Sequence, residues 1–322
     1  MTELGFDGKV AIVTGAGGGL GQQHALLLAS RGARVVVNDI GVSVTGESPD
    51  NSPAEAVAGL IRDQGGEAVA DTASIASAEG GQALVQTALD TYGRIDIVVN
   101  NAGILRDAVF DDMTSDQLDP LIDVHLKGTF FVTRPAWTAM REQGYGRVVN
   151  TTSAAALLGT AKKSNYGAVK GGILGLTKVL AAEGAPHNIK VNAIAPFAMT
   201  RMLTHSMESS SDAADLDPGV MEMMEGFMRK LDPALVSPVV AYLAHEQCAV
   251  SGEVYTVGGG QVSQFFIGRT HGYYRPNLSV EDVRDNLDQI RDKTGYTVPA
   301  DPGEETAQLF ASIATGSTTA AG

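Results

Sequence analysis

The chain has 322 residues, 44% of them hydrophobic, a net charge of −14 and a pI near 4.8. So acidic a surface repels a phosphate backbone, which excludes nucleic acid as a partner and argues against a polybasic membrane anchor. The single cysteine, Cys248, excludes an intrachain disulfide, and neither a leader pattern nor a run of ~18 apolar residues is present, so the expectation is a cytoplasmic protein that spans no membrane.

The first apolar run, "KVAIVTG" (9–15), is short and rich in β-branched residues, as a strand buried on both faces should be. "TGAGGGLG" (14–21) follows at once and opens a helix over 19–31. Glycines at 15, 19 and 21 permit a tight turn, close approach to a pyrophosphate and close helix–strand packing, and the helix N-terminus favours an anion. Gly15, Gly19, Leu20 and Gly21 are therefore candidate dinucleotide-binding residues.

A second strand, "ARVVVND" (33–39), ends at Asp39, whose carboxylate suits the 2′-hydroxyl of an adenosine ribose and repels a 2′-phosphate. No Lys or Arg occurs between 35 and 61 to offset it, which points to NAD over NADP, with a turn cap as the alternative role for Asp39. Residues 40–53 read as a polar, mobile loop.

Further strands are expected at 67–71, 94–103, 146–153, 189–196 and 252–259, alternating with helices at 53–64, 78–92, 114–142, 164–185 and 235–246. This rhythm predicts an α/β fold, a doubly wound parallel sheet of seven strands, Rossmann-like, in one domain over 1–265. Residues 199–230, rich in Met and Ser, are expected to form a substrate lid. A tail extension over 266–322 carries one candidate helix, 279–292, with Ser279 as N-cap, and a frayed end. The six histidines show no metal-ligand spacing, so no metal is expected.

In the helix at 164–185, Tyr166 and Lys170 stand one turn apart on one face. With ordinary pKa values near ~10 and ~10.4 neither is a good acid or base at neutral pH, and such a pair alone is a common surface arrangement. The ordered set is more specific. T-G-x-x-x-G-x-G at 14–21, N-N-A-G at 100–103, Ser153, and Tyr166-x-x-x-Lys170 resemble the short-chain dehydrogenase/reductase superfamily over about residues 8–262. Within it, "VVVNDIG", "TALDTYGRIDIVVNNAGILRD", "VHLKGTFFVTRPAW" and the tail "RTHGYY" resemble the (3R)-hydroxyacyl-CoA dehydrogenase units of type 2 multifunctional enzymes, here expected as that unit alone.

The resemblance implies that Tyr166 is the acid/base of alcohol oxidation, its pKa lowered by the Lys170 charge. It also implies that Ser153 holds the substrate oxygen and Lys170 binds the nicotinamide ribose. Asn100, Asn101, Ala102 and Gly103 then line the adenosine side, and Pro196, Ala198, Met199, Thr200 and Arg201 meet the carboxamide end. Three departures from the superfamily pattern stand out. His125 replaces an asparagine on the long helix, as a proton relay or as a kink; Ala73-Ser74 stand where an acidic residue often meets adenine; and Pro196-Phe197 replaces Pro-Gly.

The implied substrate is a 3-hydroxyacyl-CoA, with Lys162, Lys163, Arg106 or Arg201 as candidates for its phosphates. A 17β-hydroxysteroid or other bulky alcohol is the alternative, and a non-catalytic NAD-binding scaffold the rival of another class. The superfamily implies a homodimer or homotetramer.

Overall fold

A computed structural model describes residues 3–47, 52–208 and 226–316 of the chain. Contacts divide it into two units, Met1–Gln264 and Phe265–Gly322.

The first unit is built on β1 (Val10–Thr14), β2 (Arg34–Asn38), β3 (Glu67–Asp71), β4 (Ile97–Asn100), β5 (Gly146–Thr151), β6 (Ile189–Pro196), β7 (Val254–Gly258) and β8 (Gln261–Phe265), in the spatial order β3-β2-β1-β4-β5-β6-β7-β8. The first seven pair in parallel, with Val13 opposite Val37 and Val99, and Asn100 opposite Asn150. The order reverses between β1 and β4, so their C-terminal ends diverge into the crevice where doubly wound sheets bind ligands.

Seven strands were expected and eight are present among the described residues. The eighth returns through Gly259-Gly260, both at positive φ (57° and 82°), the conformation of a two-residue hairpin turn. Such a short connection can only run antiparallel. β8 has four exposed residues of five, so its sequence lacks the apolar run that marks the other strands.

Alternation explains the continuous apolar runs. Ala11, Val13, Val35, Val37, Ile97 and Val99 pack on one face, beneath helices α1 (Gly19–Ser30) and α2 (Ser52–Asp63). Ile12, Val36, Val98 and Val148 pack on the other, beneath α3 (Ala78–Tyr92). Each valine so buried contributes roughly 1.5–3 kcal/mol, and buried polar strand residues such as Asn150 and Arg147 are hydrogen-bonded. Helix α3 starts where the Ser77 hydroxyl accepts from Gly80 N and ends at Gly93 in the left-handed region.

The helix expected over 114–142 is three elements: α4 (Ser115–Leu121), a π-helical stretch (Ile122–Lys127) and α5 (Gly128–Gln143). A π turn admits an extra residue into the ladder, and His125, within it, is buried. After β5 come α6 (Ala154–Leu158) and the long α7 (Ser164–Gly184); after β6 come α8 (Arg201–Glu208) and α9 (Ser237–Ala244). The expected lid thus begins with a helix, while residues 209–225 lie outside the described residues.

The loop expected to be mobile is anchored as far as it is described: Leu105 N donates to Val44 O (2.9 Å) and Arg106 Nε to Thr45 O (3.0 Å). Among the described residues no helix is long and apolar enough to cross a membrane.

The second unit holds α10 (Val280–Asp285), α11 (Leu287–Arg291) and α12 (Pro302–Thr315). Ser279 caps α10 as expected, in a reciprocal box with Asp282. The expected single helix breaks at Asn286, whose side chain donates to Asp282 O (2.8 Å). Helix α12, started by Asp301 and Pro302, was not expected; it reaches Thr315 and so takes in the first residues of the end expected to be frayed, whose residues 317–322 lie outside the described residues.

Candidate active site

One cavity of about 1040 Å³ runs along the C-terminal ends of the central strands. Its floor starts at the glycine turn. Gly15 and Gly19 adopt φ of 63° and 54°, open to glycine at no steric cost. A Cβ on Gly15 would fall 2.7 Å from Ala102 Cα, and one on Gly21 would fall 2.2 Å from Gly15 O, so the turn is as tight as its composition suggests.

Asn101 Nδ2 donates to Thr14 O (3.0 Å) and Gly15 O (3.1 Å), pinning the end of β4 to that turn. Asp39 Oδ2 accepts from Gly17 N (2.8 Å) and Oδ1 from Gly41 N (2.6 Å). The two readings of Asp39 are therefore compatible: it braces the turn and still lines the cavity with lone pairs to spare.

Gly15, Gly19, Leu20, Asp39, Ala73, Ser74, Asn101, Ala102, Gly103, His125, Ser153, Tyr166, Lys170, Pro196, Ala198 and Thr200 all line this one cavity. Three coenzyme candidates do not, nor does Lys162. Gly21 packs behind the turn. Asn100 Nδ2 bonds Thr133 Oγ1 and Asn150 Oδ1, both at 2.9 Å, within the sheet. Met199 N bonds Leu231 O (2.7 Å). The neighbouring carboxylate, Asp71, is spent on Asn38, Ala73 N and Thr87, which leaves adenine without an acidic partner there.

Ser153 caps α6, its Oγ accepting from Ala155 N (3.2 Å), and its side chain lies near enough to Tyr166 to favour the ionised phenol. One turn beyond, Lys170 is buried with Nζ 5.7 Å from the Tyr166 ring centre and bonded to Thr151 O (2.7 Å). The electrostatics run against the simple expectation. Burial pushes the Tyr166 phenol up to about 12, with Ser153 pulling it down and Asp107 adding a smaller upward push. Lys170 is not among the causes: desolvation brings its own pKa down to about 7, so its charge is itself marginal at neutral pH.

His125 lies edge-on to Tyr166, ring centres 5.5 Å apart. Burial first, and the Lys170 charge second, hold it well below the usual imidazole range, so it is neutral. Its Nε2 lies 2.8 Å from Ile104 O, and its Nδ1 has no partner among the described residues. The same holds for the buried Thr151 Oγ1 on the cavity wall. Sequence reasoning missed Thr151 and Asp107; the first acts through a carbonyl, which no side-chain pattern marks.

The cations proposed for CoA phosphates are largely committed elsewhere. Lys163 pairs with Asp107 (2.6 Å), and Arg106 bonds Thr45 O and Asp116 O. Met202, Leu203, Phe197 and Phe227 give the remaining wall an apolar character.

Comparison with known proteins agrees with this geometry. The short chain dehydrogenase family matches residues 9–212. The chain is 41% identical over 310 residues to peroxisomal multifunctional enzyme A of Dictyostelium discoideum, covering 96% of this chain and 66% of that protein. It is 44% identical over 295 residues to a Mycobacterium tuberculosis protein named as a short-chain type dehydrogenase/reductase, covering 91% and 98%. Among solved structures, full-length peroxisomal multifunctional enzyme type 2 of Drosophila melanogaster superposes with a TM-score of 0.78 at 33% identity, over 98% of this chain and 51% of that one. The chain thus spans less than two thirds of the multifunctional relatives it matches. On the family match, the near-complete overlap with the mycobacterial relative and the shared architecture, this chain belongs to the short-chain dehydrogenase/reductase family, oxidoreductases that use NAD or NADP.

Proposed function

We propose that this protein is an NAD-dependent dehydrogenase of secondary alcohols, acting on a 3-hydroxyacyl-CoA to give the 3-oxoacyl-CoA. The observation that carries the reading is that Ser153, Tyr166 and Lys170 converge on the cavity whose other end is the glycine turn. A dinucleotide fits the residues present. Gly15, Gly18 and Gly19 open the turn onto the cavity, with space beside Gly18 and Gly19 for a close ligand approach, and buried polar atoms of His125 and Thr151 stand unpartnered on the same wall. The N-terminus of α1 and the turn would hold its pyrophosphate, Asp39 its adenosine ribose, and Lys170 and Thr200 its nicotinamide end. When bound, that group supplies the hydride acceptor and, in its oxidised form, a positive charge.

The chain's own part is positioning and proton handling. Ser153, fixed at the start of α6, orients the substrate oxygen towards Tyr166. In the reducing direction the protonated phenol donates to that oxygen. In the oxidising direction Tyr166 must take the alcohol proton, so it has first to lose its own, and turnover should rise with pH. Thr151 O holds the Lys170 amine beside the phenol. A neutral, buried His125 packs against the phenol ring and excludes water from it.

Asp39 favours NAD, because a 2′-phosphate would meet its carboxylate with no neighbouring cation on the same loop. The CoA ester rests on the likeness to the dehydrogenase units of multifunctional enzymes. Purified protein supplied with 3-hydroxyacyl-CoA or 17β-hydroxysteroid, each with NAD or NADP, tests the reading by absorbance of the reduced cofactor. NAD-linked oxidation of the CoA ester is expected, with Tyr166→Phe removing nearly all turnover while NAD still binds. Oxidation of the steroid alone transfers the substrate assignment, and equal rates with NADP refute the role given to Asp39.

A further inference from the structure

We infer that Arg201 clamps the dinucleotide pyrophosphate from the substrate side of the cleft, an inference that rests on the dinucleotide-binding reading above. The glycine turn 14–21 contains no basic residue, so its hold on two phosphate charges relies on backbone N–H groups and the α1 dipole. Any cation at this site is supplied from elsewhere in the fold, on a protein of net charge −14.

Among the described residues, five Lys and Arg side chains line the cavity: Arg106, Lys163, Lys170, Arg201 and Lys230. The first three are engaged, by Thr45 O and Asp116 O, by Asp107, and by Thr151 O respectively. Of the other two, only Arg201 reaches the turn: its Nη2 lies 3.6 Å from where a Cβ on Gly18 would sit. Its guanidinium makes no hydrogen bond or ion pair among the described residues, so it stands over Gly18 with its donors unspent. A planar fork of N–H donors matches phosphate oxygens in pairs.

The backbone aims it there. Thr200 packs on the turn as well, its Cγ2 being 3.8 Å from the Cβ position of Gly19. Thr200 Oγ1 also accepts from Leu203 N (3.3 Å), so the first turn of α8 is capped with Arg201 as its leading residue. The next two residues, Met202 and Leu203, line the substrate end of the same cavity. A pyrophosphate gripped by Arg201 would therefore fix the position of the substrate wall, and the dinucleotide would bind before the alcohol. This assigns Arg201 to neither the carboxamide nor the CoA phosphates.

The test compares wild type with Arg201→Gln for NAD⁺ and ADP-ribose by titration calorimetry, and for adenosine by ligand-detected NMR. Arg201 is exposed and makes no bonds to lose, so the variant should melt with the wild type. The expected result is an approximately tenfold rise in Kd for both phosphate-bearing ligands, about 1.4 kcal/mol, with adenosine unchanged. Binding of NAD⁺ and ADP-ribose within twofold of wild type overturns the inference, and so does an equal loss for adenosine. A wild type that prefers NADP⁺ to NAD⁺ would refute the reading of Asp39 instead, and the Arg201 comparison would then be made with NADP⁺.

Discussion

Lys170→Met should make the protein more stable while abolishing turnover. Lys170 is 3% exposed, its hydrogen bond among the described residues goes to Thr151 O, and burial takes its pKa from 10.5 down to about 7. At about 1.4 kcal/mol for each tenfold in the proton equilibrium, the native state resists that charge by roughly 5 kcal/mol. Because the folded value lies below the unfolded one, the unfolded chain holds a proton between pH 7 and 10.5 that the folded protein has released. Wild-type stability therefore climbs through that window and is flat below it, where both states are charged. Methionine keeps the stem's length without the charge and forfeits one hydrogen bond, about 1 kcal/mol. Urea unfolding followed by the fluorescence of the single tryptophan, Trp137, at pH 6 and pH 10 measures the difference. The variant should exceed wild type by about 2–4 kcal/mol at pH 6, a margin that narrows sharply by pH 10. A margin that is the same at both pH values would refute the reasoning, since the ammonium would then be carrying no burial cost.

Two further substitutions probe the same cavity. Asp39→Asn loses the negative charge and one acceptor for Gly17 N or Gly41 N; the ratio of kcat/KM for NADP over NAD should rise about tenfold and stability fall by about 1–2 kcal/mol, read by steady-state kinetics and thermal melts. Gly103→Ala places a Cβ 2.4 Å from His125 Cε1 and 3.0 Å from Nδ1, so the imidazole must shift from Ile104 and from the Tyr166 ring. A loss of about 1–3 kcal/mol in unfolding free energy, read by urea unfolding, should come with a fall in kcat, read by steady-state kinetics.

The sheet was legible because its strands are buried on both faces: "VAIVT" and "VVVN" leave no other reading. The glycine turn was legible for a different reason, since few residues but glycine tolerate the backbone at positions 15 and 19. β8 was not, because an exposed strand of polar and apolar residues has no apolar run to show. Nor was the π turn around His125, since periodicity over 114–142 registers helix but not one inserted residue. In the site, residue identities were readable but their electrostatics were not. Tyr166 beside Lys170 in sequence suggests a lowered phenol pKa; only the packing reveals that burial raises the phenol and lowers the lysine alike. The loop after Asp39 misled in the same way, its polar composition masking the clips to Leu105 and Arg106.

The glycine turn is fastened three ways, by Asn101 from β4, by Asp39 from the end of β2, and by the contact of Gly21 against Gly15. Its shape is thus settled when the chain folds rather than when a ligand arrives. Loading a coenzyme then costs little conformational entropy at that end of the cleft, and shedding the spent form requires no rearrangement there. An enzyme that must exchange its redox carrier every cycle gains speed from so rigid a berth.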